Sequence, residues 1–248
     1  MIFLYYNVFM NFLFLEEVDS TNKYAKENIS QLSDMTVVYT AKQTAGRGRL
    51  ARKWEFLGDE NIYASIVLKP SLEIKEIYSN LTQYLCLVLA ETFEDYCIEP
   101  TIKWPNDIQI NGKKISGILA EAVINNGKLD GLVLGFGVNL NCDKKNLKEI
   151  NQPATSLNVE IGEKIDSKLF LKKVLDKFCL RYDRFIEEGF LLIREDYKSR
   201  AGFLNKNIIV KVFDKEFCGV AKDITENGAL KIIDNKNNEH VLLIGDIL

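Results

Sequence analysis

The 248-residue sequence contains few of the residues that most often form nucleophilic or metal sites. It has one histidine, His240, and five scattered cysteines that form no Cys-x-x-Cys pair. These gaps argue against Ser-His and Cys-His catalytic pairs, zinc sites and a disulfide framework. Free thiols are typical of a reducing compartment, so we expect a cytoplasmic protein. His240 lies in a strand-like run, where a packing or surface role is the simpler interpretation.

Positive charge is not in excess either. The sequence has 32 basic and 35 acidic residues, a net charge of −3, which gives no overall attraction to nucleic acid or to an anionic membrane. The apolar run at residues 1–15 lacks the basic region and the cleavage site of a signal peptide, and it is short for a membrane span. We therefore expect no nucleic-acid or membrane partner. Residues 12–18 are predicted to form the first strand, and residues 1–10 to be a natural extension or a start-site artefact.

Apolar spacing predicts the regular elements of the first two hundred residues. Helical spacing indicates long amphipathic helices over residues 74–97 and 169–186. Apolar runs at residues 36–41 and 62–68 indicate strands that flank a basic loop. Asp19-Ser20-Thr21 offers N-cap chemistry for a short helix.

Three Asn-Gly pairs predict hairpins, because both central residues of the preferred two-residue turn need positive φ. Asn111-Gly112 and Asn126-Gly127 would join three antiparallel strands between residues 107 and 140. This meander disfavours a Rossmann sheet, whose parallel strands need crossover helices. The third pair, Asn227-Gly228, would join two short strands near the C-terminus.

The predicted fold class is α+β: a mixed, largely antiparallel sheet packed with helices, followed by a small C-terminal β-barrel. Short strands replace the helices from about residue 203. We therefore expect a large domain at residues 1–201 and the barrel at residues 202–248.

The most distinctive segment is the basic loop between the strands at residues 36–41 and 62–68. Four fixed positive charges lie within seven residues, at Arg47, Arg49, Arg52 and Lys53, beside Gly46 and Gly48 and before Trp54. Glycines permit positive φ and close backbone approach, and guanidinium groups bind phosphate or carboxylate oxygens bidentately. The loop is predicted to bind a nucleotide or another small anion; a solvated basic loop is the alternative.

Standard nucleotide motifs do not accompany this loop. The sequence has no GxxxxGK[ST] P-loop, and Gly46-Arg47-Gly48 lacks the third glycine of a dinucleotide fingerprint. Gly135-Phe136-Gly137 lies within a predicted hairpin strand, where its glycines would let a ligand approach the backbone closely.

Two further clusters present polar side chains. Lys103-Trp104-Pro105-Asn106-Asp107 is predicted to be a rigid corner between two short strands, with Lys103, Asn106 and Asp107 presented from it; a purely structural turn is the alternative. In the following strand, simple alternation places Lys114, Ser116 and Ile118 on one face. Lys114 could then reach into a pocket, although hairpin lysines more often only aid solubility.

The order of these motifs resembles that of biotin–protein ligases. They are Asp19-Ser20-Thr21-Asn22, Gln43-x-x-Gly46-Arg47-Gly48-Arg49, Arg52-Lys53-Trp54, Lys103-Trp104-Pro105-Asn106-Asp107, Lys114-Ile115-Ser116-Gly117-Ile118-Leu119 and Gly135-x-Gly137-Val138-Asn139. The resemblance covers roughly residues 12–248. It implies a class II synthetase-like catalytic domain and the monofunctional type of ligase, without an N-terminal DNA-binding domain.

The resemblance implies a two-step acyl transfer. Biotin would attack the α-phosphate of ATP to give biotinyl-5′-AMP and pyrophosphate, and a lysine of a biotin carboxyl carrier domain of a carboxylase would then take the biotin. Mg²⁺ is expected with ATP, but its ligands are not evident in the sequence.

The resemblance also assigns roles to residues. The biotin-binding set is Ser20, Thr21, Asn22, Gln43, Arg47 (through its backbone), Gly48, Arg49, Lys114 and Gly117. The ATP- or adenylate-binding set is Arg49, Trp54, Asn106, Lys114 and Asn139. Arg49 and Lys114 are the expected catalytic side chains, and Asp107 would position or deprotonate the incoming lysine.

The loop departs from the commonest pattern of the family at Leu50-Ala51, where a basic residue and a glycine often stand. This change should stiffen the loop, which we expect to be disordered without ligand and ordered over the adenylate. Two other functions remain open: a lipoate–protein ligase, which shares the architecture, and a non-catalytic binding protein with a basic loop.

Overall fold

An eight-stranded mixed sheet organises the first two hundred residues. The computed structural model describes residues 3–5, 8–69 and 76–248. The strands are β1 (Phe3–Tyr5), β2 (Val8–Val18), β3 (Thr36–Gln43), β4 (Ile62–Leu68), β5 (Thr101–Lys103), β6 (Asp107–Ile110), β7 (Lys113–Asn125) and β8 (Lys128–Val138). Their order is β1-β2-β3-β4-β8-β7-β6-β5, with β2 and β3 parallel and the other pairs antiparallel. The predicted mixed, largely antiparallel sheet is confirmed.

The predicted first strand is confirmed and is longer than expected, because β2 begins at Val8. Residues 3–5 of the predicted extension pair with it as β1, while residues 1, 2, 6 and 7 lie outside the described ranges. The two central hairpins are also confirmed. Asn111, Gly112, Asn126 and Gly127 all have positive φ, between 50° and 75°.

Helices cover the sheet. They are α1 (Thr21–Glu27), α2 (Leu81–Glu94), α3 (Lys144–Lys148), α4 (Leu157–Ile161), α5 (Ser167–Glu188) and α6 (Arg194–Ser199), with 3₁₀ turns at Arg49–Ala51, Glu76–Asn80 and Phe190–Ile193. The helix predicted at residues 74–97 is α2 preceded by a 3₁₀ turn, and its first residues lie outside the described ranges. Within those ranges no helix is long and apolar enough to cross a membrane.

The main core lies between the sheet and the long helices α2 and α5. Tyr84 of α2 stacks on Phe185 of α5 with ring centroids 4.5 Å apart, and its hydroxyl donates to the carbonyl of Phe178. Asp166 caps α5 by accepting hydrogen bonds from the backbone of Lys168 and Leu169. This packing fixes the sheet on which the candidate site is built.

A β-bulge in β7 makes the predicted alternation wrong. Gln109 of β6 pairs with Lys114 and Ile108 pairs with Ser116, so Ile115 is an extra residue. A bulge reverses which side chains share a face. Lys114 and Gly117 therefore meet on one face, whereas Ile115 is fully buried in the core.

The C-terminal residues form a five-stranded antiparallel sheet. Its strands are β9 (Asn207–Val212), β10 (Lys215–Ile224), β11 (Leu230–Ile233), β12 (Glu239–Leu242) and β13 (Asp246–Ile247), in the order β12-β11-β10-β9-β13. The short strands predicted beyond residue 203 are confirmed, while closure into a barrel and a domain boundary at residue 202 stay predictions. Asn227-Gly228 does join β10 to β11, but only Gly228 of the pair has positive φ, because the turn spans Thr225 to Ala229.

The carbonyl of Gly228 fastens this sheet to the rest of the chain. Gln83 Nε2 donates to it at 2.8 Å and Trp104 Nε1 at 3.2 Å. Trp104 is thus buried against the C-terminal sheet, while its neighbours Asn106 and Asp107 face the candidate site. The polar corner that the sequence predicts therefore has a packing side and a cavity side.

Candidate functional site

One cavity is lined by residues from every motif that the sequence singles out. The predicted residues that line it are Ser20, Thr21, Asn22, Gln43, Arg47, Gly48, Arg49, Trp54, Asn106, Asp107, Lys114 and Gly117. Asn139 instead lines an adjoining cavity, which shares Lys53, Trp54, Lys114 and Gln152 with the first. Asn139 is buried there, and its Nδ2 donates to the carbonyl of Thr155 at 3.0 Å. The site predicted from the sequence is therefore contiguous in space.

One end of the cavity is polar and uncharged. Ser20 is the N-cap of α1, and its Oγ accepts from the backbone of Lys23. The backbone N–H of Thr21 donates to Gln43 Oε1 at 3.0 Å, which links α1 to the end of β3. Ser65 of β4, which belongs to none of the sequence motifs, donates to Asn22 Oδ1 at 2.6 Å.

Gly135 of β8 leaves room for the side chain of Asn22 at this end of the cavity. A Cβ on Gly135 would overlap the carboxamide of Asn22, so only glycine leaves that side chain in place. The sequence predicted that a ligand would lie against this glycine, whereas the structure places a protein side chain there.

The basic loop is folded back on itself. Arg47 pairs with Lys53 as an antiparallel bridge, and the backbone N–H of Gly48 donates to the carbonyl of Arg52 at 2.8 Å. Neither Gly46 nor Gly48 has positive φ; Gly46 is required because a Cβ would overlap the carbonyl of Trp54. Leu50 instead has the left-handed backbone, with φ 52° and ψ 44°. The prediction that these glycines adopt positive φ is therefore wrong. The prediction that they allow close backbone approach is confirmed at Gly46, which packs against the carbonyl of Trp54.

The second end of the cavity is cationic. Arg49 Nη1 donates to Asn106 Oδ1 at 3.1 Å and lies 3.0 Å from Asp246 Oδ1. Arg52 Nη2 lies 2.9 Å from the other carboxylate oxygen of Asp246. Asp246 belongs to β13, is 8% exposed and lines the cavity. Nothing local in the sequence marked this aspartate, because its partners lie almost two hundred residues away.

Lys114 and Asp107 form the other ion pair of this end. Lys114 Nζ lies 2.7 Å from Asp107 Oδ1, and both side chains are largely buried. The ring of Trp54 lies 5.6 Å from the same ammonium group, and it rests on Gly117 and Gly137 of the adjacent strands. A Cβ on Gly137 would overlap that ring. Trp54 Nε1 is buried without a hydrogen-bond partner among the described residues.

Charge is concentrated at this cavity. Arg47, Arg49, Arg52, Lys53 and Lys114 line it, against the carboxylates of Asp107 and Asp246. A surplus of cations in a protein of net charge −3 marks the cavity as a site for anionic ligands. Within the described ranges, no group of three His, Cys, Asp or Glu side chains is arranged to hold a metal ion.

Residues 14–139 match the sequence model of the biotin/lipoate A/B protein ligase family. The chain belongs to this family. Over 227 residues it is 31% identical to the bifunctional ligase/repressor BirA of Bacillus subtilis, a match that covers 90% of this chain and 70% of the relative. It is 30% identical to the biotin–[acetyl-CoA-carboxylase] ligase of Paracoccus denitrificans, covering 87% of this chain and 91% of that one.

The family resemblance extends to the whole fold. The solved structure of the biotin protein ligase from Aquifex aeolicus in complex with biotin and ATP superposes with a TM-score of 0.81 and 29% sequence identity. The superposition covers 96% of this chain and 97% of that one, so it includes the C-terminal sheet. The predicted α+β family fold is confirmed over nearly its full length.

Proposed function

We propose that this member of the family is an ATP-dependent biotin–protein ligase. It activates biotin as biotinyl-5′-AMP and transfers it to a lysine of a biotin carboxyl carrier domain. The observation that carries this proposal is the two-ended cavity, in which an uncharged polar end adjoins a cationic end. The ligase relatives with matching sequences support the same activity.

The polar end suits the ureido ring of biotin. That ring is uncharged and needs matched donors and acceptors, which Ser20, Thr21 and Gln43 supply from α1 and β3. The backbone of Arg47 closes this end, and Asn22 and Gly48 complete the set. Arg49, Lys114 and Gly117 then lie toward the valeryl carboxylate.

The cationic end suits the reacting groups. The first step brings a carboxylate against the α-phosphate of ATP, which is unfavourable unless fixed positive charge surrounds both. Arg49 and Lys114 stabilise the charge that develops as the carboxylate oxygen bonds to phosphorus and pyrophosphate leaves. Trp54 and Asn106 flank the adenylate, and Asn139 lies on the adenine side.

The second step uses Asp107. When the adenylate oxygens take over Lys114, the Asp107 carboxylate becomes available to accept a proton from the incoming lysine ammonium. The neutral amine then bonds to the acyl carbon of the adenylate, the bond from that carbon to the phosphate oxygen breaks, and AMP leaves with the second amine proton on its phosphate. Mg²⁺ would arrive bound to the ATP phosphates, which need no three-residue protein site.

The test is ATP-dependent transfer of labelled biotin or labelled lipoate to purified carrier domains of each kind. Transfer of biotin alone is the expected result. Transfer of lipoate alone would identify a lipoate–protein ligase, and transfer of neither would contradict the ligase function in favour of a binding protein.

A further inference from the structure

Glu121 of β7 lies just outside the cavity and contacts two of the segments that build its polar end. Its Oε1 lies 2.7 Å from Lys26 Nζ and 3.6 Å from Arg47 Nη1, and its Oε2 accepts a hydrogen bond from Asn22 Nδ2 at 3.0 Å. The carboxylate thereby joins α1 to the basic loop. Its side chain is 16% exposed.

Glu121 is held as an anion. Burial alone would raise the pKa of its carboxyl, but the hydrogen bonds from Lys26 and Asn22, with the charges of Lys26 and Arg47, lower that pKa below its ordinary value. An ionised carboxylate has no hydrogen to give, so it only accepts.

This acceptor lies at the end of a row of buried hydrogen bonds. Asn22 Nδ2 donates to Glu121 and also to the carbonyl of Leu119 at 3.1 Å, so both of its hydrogens point toward β7. Asn22 Oδ1 must then face Ser65, whose Oγ donates to it. A serine hydroxyl has one hydrogen, so Ser65 Oγ can donate either to Asn22 Oδ1 at 2.6 Å or to Thr21 Oγ1 at 2.8 Å, and the carbonyl oxygen of Asn22 is the nearer acceptor.

The other end of the row is fixed by the backbone. The N–H of Thr21 donates to Gln43 Oε1, which orients the Gln43 carboxamide. The carboxamides of Asn22 and Gln43 thus each have one orientation, while the Thr21 hydroxyl lies 2.8 Å from Ser65 Oγ and 3.4 Å from Gln43 Oε1. Asn22, Thr21 and Gln43 line the cavity, whereas Glu121 does not.

We propose that Glu121 is a positioning residue that, with the Leu119 carbonyl, orients the Asn22 carboxamide at the polar end and holds Arg47 beside it. The proposal rests on the function given above for the identity of the ligand, a cyclic urea. Glu121 acts through Asn22 and Arg47 and touches neither biotin nor nucleotide. Substitution of Glu121 should therefore weaken the binding of biotin and leave the binding of ATP unchanged.

The informative variant is Glu121→Gln, which keeps the size of the side chain. A carboxamide presents an oxygen on one side and an NH₂ donor on the other. Lys26 and Arg47 both lie on the Oε1 side and favour the oxygen there, so the NH₂ group faces the Asn22 donor. Loss of a hydrogen bond to a charged group predicts a Kd for biotin that is raised ~10-fold or more. The Kd for ATP and the kcat at saturating biotin should stay within about a factor of two of the values for the unsubstituted chain, which is a smaller change than the one expected for biotin.

Two controls isolate the route. Lys26→Met removes the Lys26 ion pair on Oε1 but leaves the Arg47 pair and the Asn22 hydrogen bond, so its biotin Kd should change little. Glu17→Gln breaks a 2.8 Å pair with Lys42 in which both side chains are about half exposed, and it should change neither Kd. Isothermal titration calorimetry of the full chain measures each Kd, and thermal unfolding measures stability.

The outcomes separate the two proposals. No biotin binding by the unsubstituted chain would overturn the proposed function. Biotin binding that is equally tight in Glu121→Gln would overturn the positioning role alone, even if the variant unfolds at a lower temperature. An equal loss of biotin affinity in Lys26→Met would overturn the route through Asn22.

Discussion

Arg49 Nη1 and Asp246 Oδ1 lie 3.0 Å apart, so the last strand of the chain contacts a residue proposed to meet the reacting phosphate. Arg52 binds the other oxygen of the same carboxylate. Without ligand, the Asp246 carboxylate neutralises the charge of Arg49 and Arg52. During the proposed reaction, the phosphate of the adenylate would provide negative charge to the same arginines. The C-terminal sheet is therefore a wall of the candidate active site.

Substitution of Asp246 tests this relationship. Asp246→Asn removes the charge that two arginines share, so the ligand-free protein should lose about 1–3 kcal/mol of unfolding free energy. ATP restores the missing negative charge, so it should raise the Tm of the variant more than that of the parent chain. Asp214→Asn, at an exposed turn of the same sheet, is the control. Equal ATP-induced shifts in Tm would contradict the role of Asp246 as a resident counter-ion.

Arg49 and Lys114 should dominate adenylate formation. Arg49→Met and Lys114→Met retain the aliphatic stems but remove the charges, and each should lower the rate of ATP–pyrophosphate exchange by ~10²–10³-fold. Lys113→Met, one residue away and exposed, should leave the rate unchanged. A normal rate in either cationic variant would remove that residue from the proposed chemistry.

The contact between Gly137 and Trp54 should be sensitive to one methyl group. Gly137→Ala places a Cβ inside the space of the indole ring, an overpacking that costs about 1–3 kcal/mol and moves Trp54 away from the side of the cavity proposed to bind the nucleotide. The ATP Kd should rise. A double-mutant cycle with Trp54→Ala measures the coupling by calorimetry, and simple additivity of the two changes would show that the ring is not what Gly137 accommodates.

Leu50 should lower the stability of the folded conformation of the basic loop. A non-glycine residue with φ 52° is strained by about 1 kcal/mol, and asparagine tolerates this backbone better than leucine does. Leu50→Asn should therefore slow proteolysis between residues 46 and 53, and biotin with ATP should slow it further. Leu191→Asn, exposed but without positive φ, controls for the loss of a surface leucine. Equally fast cleavage with and without ligands would contradict the ordering of the loop over the adenylate.

Glu121 should make stability depend on pH in one direction. Its folded-state pKa lies below the ordinary value of 4.5, so its stabilising effect is fully present above that value and is lost as the pH falls through the folded-state pKa. The difference in unfolding free energy between the parent chain and Glu121→Gln should be constant from pH 8 to pH 6 and shrink below about pH 4.5. Urea unfolding at each pH measures it; a difference that grows on acidification would reverse the assigned sign.

The sequence predicted those parts of the site that carry local signals. Gln43, Arg49 and Lys114 stand in short motifs, and the Asn111-Gly112 turn fixes the hairpin that carries Lys114. Ser65 and Asp246 were missed because their importance depends on partners far along the chain. The predicted alternation in β7 was wrong because β7 contains a bulge. The position of a bulge depends on how β7 pairs with β6, and no residue of β7 indicates that register by itself.

The indole of Trp104 donates to the Gly228 carbonyl, on the side of its corner away from the cavity. A substitution of Trp104 would weaken the contact that holds the C-terminal sheet in place. The distances between Asp246 of that sheet and the loop arginines would then no longer be fixed. A Trp104 variant should thus behave in kinetic assays like a variant of the proposed nucleotide site, although the indole does not line the cavity. The segment from Lys103 to Asp107 thus holds the C-terminal sheet through Trp104 and lines the candidate site through Asn106 and Asp107.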